Sequence, residues 1–94
     1  MSYALDFANE AVEDLERLLD SLPLERRDPA VEAVQASLSH FAEHPLERPR
    51  PGGPRPFVHL NFRVGEVAYH WAATYCFSQD ETRIVVTHVY RIAL

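Results

Sequence analysis

The chain has no lysine, one cysteine, one methionine and only three glycines among its 94 residues. One cysteine closes no internal disulfide and brings no second thiolate to a zinc site. Cys76 falls within an alternating apolar stretch, so a packed thiol is expected there rather than a nucleophile. No apolar run approaches the roughly 18–20 residues that cross a bilayer. The opening Met1-Ser2-Tyr3-Ala4-Leu5-Asp6 lacks the basic region and apolar core of a secretory signal. These absences predict a soluble, cytoplasmic protein with no membrane partner. Positive charge is also scarce: nine arginines face 14 acids, for a net charge of −5. Binding to a nucleic-acid backbone draws on basic patches that neutralise phosphates, and the overall balance runs against that.

The charge is unevenly placed. Glu10, Glu13, Asp14, Glu16, Asp20, Glu25, Asp28 and Glu32 all fall in the first third. From Pro49 onward, Arg50, Arg55, Arg63, Arg83 and Arg91 meet only Glu66, Asp80 and Glu81. The second half is slightly cationic.

Residues 1–43 carry helical signals. Tyr3, Leu5 and Phe7 alternate with Ser2, Ala4 and Asp6, which predicts a short first strand. Asn9 is the expected N-cap of a first helix, with Glu10 and Glu13 in its positive first turn. Val12, Leu15, Leu19 and Leu22 form one apolar stripe, and Pro23 ends it. Asp28-Pro29 reads as the start of a second helix, whose stripe is Val31, Val34, Leu38 and Phe41. Residues 44–56 hold five of the seven prolines. They form a connector in which neither helix nor central strand is expected, either a basic recognition loop or a stiff spacer.

Residues 57–92 predict a three-stranded antiparallel meander. Gly65-Glu66 suits a type II′ hairpin turn. Pairing Val64 with Val67 sets Phe62 opposite Tyr69, Leu60 opposite Trp71 and Val58 opposite Ala73. The other face pairs Arg63 with Ala68, Asn61 with His70 and His59 with Ala72. That second face gathers side chains no core requires. A tight turn near Asp80 extends the parity to the last strand. It predicts Thr87, Arg83 and Arg91 on the face of Arg63, and His88 on the aromatic face as a hydrogen-bonded core histidine. His40 and His44 read as surface residues. The five histidines lack metal-site spacing, so no metal and no cofactor are expected. The sequence thus predicts a single α+β domain over 1–94. A strand and helical hairpin pack on an antiparallel, roughly four-stranded sheet.

Several segments, in order, resemble the RelE/ParE superfamily of bacterial toxins. They are Tyr3-Ala4-Leu5-Asp6-Phe7-Ala8 leading to Glu13-Asp14-Leu15, then Leu38 through Phe41-Ala42 and Pro45. Gly52-Gly53, Phe62-Arg63-Val64-Gly65-Glu66 and Ile84-Val85-Val86-Thr87-His88-Val89-Tyr90-Arg91 follow. The resemblance covers almost the whole chain. It implies a toxin held inactive by a cognate antitoxin protein, with ribosome and mRNA, or gyrase, as target. Metal-free RNA cleavage needs a base for the 2′-hydroxyl, a cation for the phosphorane and an acid for the leaving oxygen. The resemblance implies Arg63 and Arg91 as the cations and His70 and His59 as proton-transfer groups. Arg63, Arg83, Arg91 and Asn61 become the expected nucleic-acid contacts. The family's arginine after the turn is Ala68 here, and its C-terminal tyrosine has no counterpart after Arg91. The alternative is therefore a ParE-like or diverged protein that acts by binding another protein. A non-toxic interaction module is a third reading.

Overall fold

The computed structural model describes residues 3–43 and 56–92. Almost all of the expected connector, including His44, lies outside these residues. The described elements are strand β1 (Ala4–Phe7), helices α1 (Asn9–Asp20) and α2 (Leu24–Glu43), and strands β2 (Phe57–Val64), β3 (Val67–Phe77) and β4 (Arg83–Arg91). The sheet order is β1-β4-β3-β2. β2, β3 and β4 form the antiparallel meander, and β1 joins it parallel to β4. The architecture is α+β, with both helices packed on the sheet, α1 along β4 and α2 along β2.

The helices start differently from the sequence expectation. Asn9 is the first helical residue of α1 rather than its cap. Ala8 holds the cap position with extended backbone and no side-chain bond. The Ala8 amide is already committed to the Val86 carbonyl at 2.9 Å, so the end of β1 fixes where the helix begins. α2 begins at Leu24, a turn before Asp28-Pro29, and Pro29 sits inside it. Pro29 is the sixth residue of α2, past the four amides that have no partner within a helix, so α2 goes without one hydrogen bond there. Arg27 ties this early turn to the end of α1. Its guanidinium donates to the carbonyl oxygens of Leu22 and Asp20, each at 3.2 Å.

The core forms where the alternating face of the sheet meets the helices. Trp71, Leu38, Leu60, Ile84, Val34 and Val86 are its largest fully buried side chains. Phe62 stacks on Tyr69 at 5.2 Å between ring centroids and meets Trp71 edge-on at 5.0 Å. A smaller cluster joins Phe41, Tyr75 and Ile84. Ala11 on α1 and Leu22 just beyond its end are buried, whereas Val12, expected in the core stripe, is 42% exposed. Val12 lines an open groove of about 200 Å³ between the helices, with Phe7, Val31 and Leu38 opposite and with Leu15 and Leu19, which also pack against the core.

The β2–β3 register is the one read from the sequence, from Val64 opposite Val67 to Val58 opposite Ala73. Gly65 has a φ of +63°. Glu66 keeps a negative φ, which distinguishes type II′ from type I′. The β3–β4 register departs from expectation. Phe77 lies opposite Ile84 and Tyr75 opposite Val86, but Thr74 lies opposite His88, so a bulge interrupts the ladder between Thr74 and Tyr75. One extra residue on β4 reverses the parity of everything beyond it.

Candidate functional site

Residues directly opposite on neighbouring strands share a face. The face away from the helices therefore carries His59, Asn61 and Arg63 along β2 and His70 across from Asn61 on β3. His59, Asn61 and Arg63 are exposed, and His70 is half-buried. The His70 Nδ1 lies 3.2 Å from the Asn61 Oδ1. With Nδ1–H donating to that amide oxygen, Nε2 is the ring atom free for proton transfer. His59 and Arg63 are the diagonal neighbours of His70, roughly 7–8 Å away in a pair of this kind. The His59 ring packs edge-on against Phe57, with centroids 5.1 Å apart. Further along the same face, the hydroxyls of Thr74 and Thr87 are bonded at 2.6 Å.

Arg91 is not part of this group. It lies opposite Trp71, a core residue, so it belongs to the helix side of the sheet. The expectation that Arg63 and Arg91 share a face is corrected by the bulge. A register read by parity alone has no signal for an inserted residue.

His88 is corrected as well. It is exposed rather than a core histidine, and its Nδ1 lies 3.3 Å from the Asp14 Oδ2 on α1. The same oxygen accepts a hydrogen bond from the Val89 backbone amide at 3.2 Å. Asp14, His88, Arg17 and Arg91 border a cleft of about 400 Å³ between α1 and β4. Sequence reading missed the Asp14–His88 pair because the two residues are 74 positions apart and only the path of α1 brings them together.

Arg83 lies at the other end of the sheet. Its row is ten residues along β3 from that of Arg63, roughly 30 Å at strand spacing. Its guanidinium donates to Asp6 at 2.8 Å, and that bond, with the carboxylate's charge, pushes the pKa of the arginine above its already high value. Cys76 is exposed rather than packed, because its parity places it away from the helices. His40 is exposed as expected.

At the β3–β4 loop, Asp80 accepts bonds from the Ser78 hydroxyl at 2.6 Å and from the Thr82 hydroxyl and amide at 2.8 and 3.1 Å. These bonds, that of Ser78 foremost, hold its carboxyl at a pKa of about 2. Glu81 has a φ of +57°, which closes the turn. Among the described residues, no group of His, Cys, Asp and Glu is arranged to hold a metal ion. Nor is any described helix long and apolar enough to cross a membrane.

No protein-family model matches the chain, and no curated protein matches it by sequence. Solved structures do. A doubly substituted form of the toxin RelE from E. coli, in the free state, superposes with a TM-score of 0.59 at 20% identity. The match covers 97% of this chain and 84% of that one. The toxin–antitoxin complex RelBE2 from Mycobacterium tuberculosis gives a TM-score of 0.54 at 19% identity, over 98% and 100% of the two chains. The intact E. coli RelBE complex gives 0.55 at 17% identity, over 99% and 100%. The order of elements, the mixed four-stranded sheet and the two helices on one face give this chain the RelE-like toxin fold.

Proposed function

We propose that this chain is the toxin of a toxin–antitoxin pair and inhibits translation by metal-free, ribosome-dependent cleavage of mRNA. The observation that carries the reading is the row His59, Asn61, Arg63 on β2 facing His70 on β3, on the side of the sheet the core does not use. The guanidinium of Arg63 would neutralise charge on the phosphorane. His70, held through Nδ1 by Asn61, and His59 flank the position of a phosphodiester and would supply the base and the acid. Arg91 and Arg83 stand apart from this group and have no part in its chemistry. The partner is a cognate antitoxin protein, in line with the complexes in which structures of this fold are found.

A second reading is favoured by a different observation. The apolar groove between α1 and α2, with Phe7 and Val12 exposed at its mouth, is suited to gripping a protein segment. On that reading the chain acts by protein binding, on gyrase or another target, with no nuclease step.

Induced expression of the chain in bacteria, alongside an Arg63→Ala variant, separates the two. The nuclease reading expects growth arrest with codon-phased cuts on translated transcripts, both lost in the variant. Arrest with intact transcripts would remove the nuclease step and leave the protein-binding reading.

A further inference from the structure

The cleft between α1 and β4 has a polar lining that neither reading above uses. Arg17 comes from α1 and Arg91 from the last residue of β4, while Leu18 and Val89 form the apolar floor. Asp14 is the one acid in the lining, and its oxygens are already engaged. Oδ2 accepts from the Val89 amide at 3.2 Å and faces His88 Nδ1 at 3.3 Å, and Oδ1 lies 3.6 Å from Arg17. Glu10 and Glu13, the neighbouring acids of α1, stay outside the lining. Two guanidiniums and an imidazole therefore face one carboxylate whose acceptors are taken. In a chain of net charge −5 this is a local excess of positive charge. Arg91 is exposed and has no ion-pair partner among the described residues. With Nδ1 turned to Asp14, the His88 Nε2 is left to meet a ligand.

We propose that this cleft is a binding site for the phosphate group of a phosphate-bearing ligand, held by Arg91 and Arg17 with His88 as the hydrogen-bond partner. Arginine presents paired donors that match phosphate oxygens, and the Asp14 contact fixes the imidazole before the ligand arrives. The site lies at the β4 edge beside α1, two strands from the β2 row of Arg63, and does not depend on the nuclease reading. A free phosphate, a mononucleotide and a nucleic-acid strand share the chemistry, and the probe distinguishes them.

The test follows the His88 ring by NMR in the full chain during titration with inorganic phosphate, uridine 5′-monophosphate and a short single-stranded oligouridylate. The proposal expects a saturating shift of His88 with at least one probe, weakened tenfold or more in Arg91→Gln and in Arg17→Gln, and unchanged in Arg63→Ala. Partial recovery in Arg91→Lys would show that charge at this position, not fold, is what was lost. Equal affinity for phosphate and the nucleotide would name a free anion. Tighter binding of the nucleotide or of the oligomer would name that source. No saturating His88 shift with any probe would overturn the proposal. So would a shift that survives both glutamine variants, or one lost in Arg63→Ala.

Discussion

The Asp14 carboxylate on α1 accepts the backbone amide of Val89 on β4 at 3.2 Å, a bond that spans 75 positions of sequence. β1 pairs with β4 from Arg83 to Val86, and beyond that point no strand among the described residues pairs with this edge of β4. An amide left without an acceptor there costs free energy. Asp14 meets it from the helix that runs along the edge, and the same contact aims His88.

Removing that acceptor should be felt in stability. Asp14→Ala is expected to lower the unfolding free energy by about 1–3 kcal/mol, and Asp14→Asn, which keeps a carbonyl oxygen, by less. Urea denaturation of the two variants beside the parent checks the order. Equal losses would show that charge, not the acceptor, matters at this position.

The pH dependence of the β3–β4 loop follows from Asp80. Its pKa is lowered from 3.8 to about 2 in the folded chain. A lowered folded-state pKa means a contribution fully present above the unfolded value and lost as pH falls through the folded one. Asp80→Ala should therefore be less stable than the parent at neutral pH, and the gap should close between about pH 4 and pH 2. Urea midpoints at pH 6 and pH 2 read this directly.

Gly65 owes its place to backbone angle alone. A Cβ there would meet no atom within 4 Å, but the φ of +63° lies where L-residues are disfavoured. Gly65→Ala should cost about 1–2 kcal/mol, with no change in the β2–β3 register. Denaturation and the cross-strand NMR contacts of Phe62 with Tyr69 check both parts.

The packing centre is Trp71, 1% exposed and in ring contact with Phe62 and Tyr69. Trp71→Ala should cost about 3–5 kcal/mol. Because β3 also carries His70, the same substitution should impair the open face, whereas Val12→Ala at the groove mouth should cost far less. Thermal unfolding of the pair measures the contrast.

What was legible in the sequence follows from what is local. The Gly65-Glu66 turn set the β2–β3 register, and with it the grouping of His59, Asn61, Arg63 and His70, because a two-residue turn leaves one pairing. The even parity carried across the Asp80 loop as far as Val86. The bulge after it was invisible, since alternation counts residues and cannot register an insertion. That single residue separates Arg91 from Arg63. The start of α2 was missed because Asp28-Pro29 has the composition of a helix start. The contacts of Arg27 with Leu22 and Asp20 support an earlier turn that composition does not mark. Val12 was read as core because periodicity finds an apolar stripe without saying whether another element covers it.

The most direct test of the central claim is a reconstituted translation reaction on a defined mRNA, without added metal beyond what the ribosome requires, with transcript ends mapped for the parent, His70→Ala and Arg63→Ala. The account predicts codon-phased cuts by the parent that depend on ribosomes and fall at least a hundredfold in each variant. Intact mRNA with the folded parent, or cuts undiminished in both variants, would contradict the assignment of the open β2–β3 face as the site of chemistry.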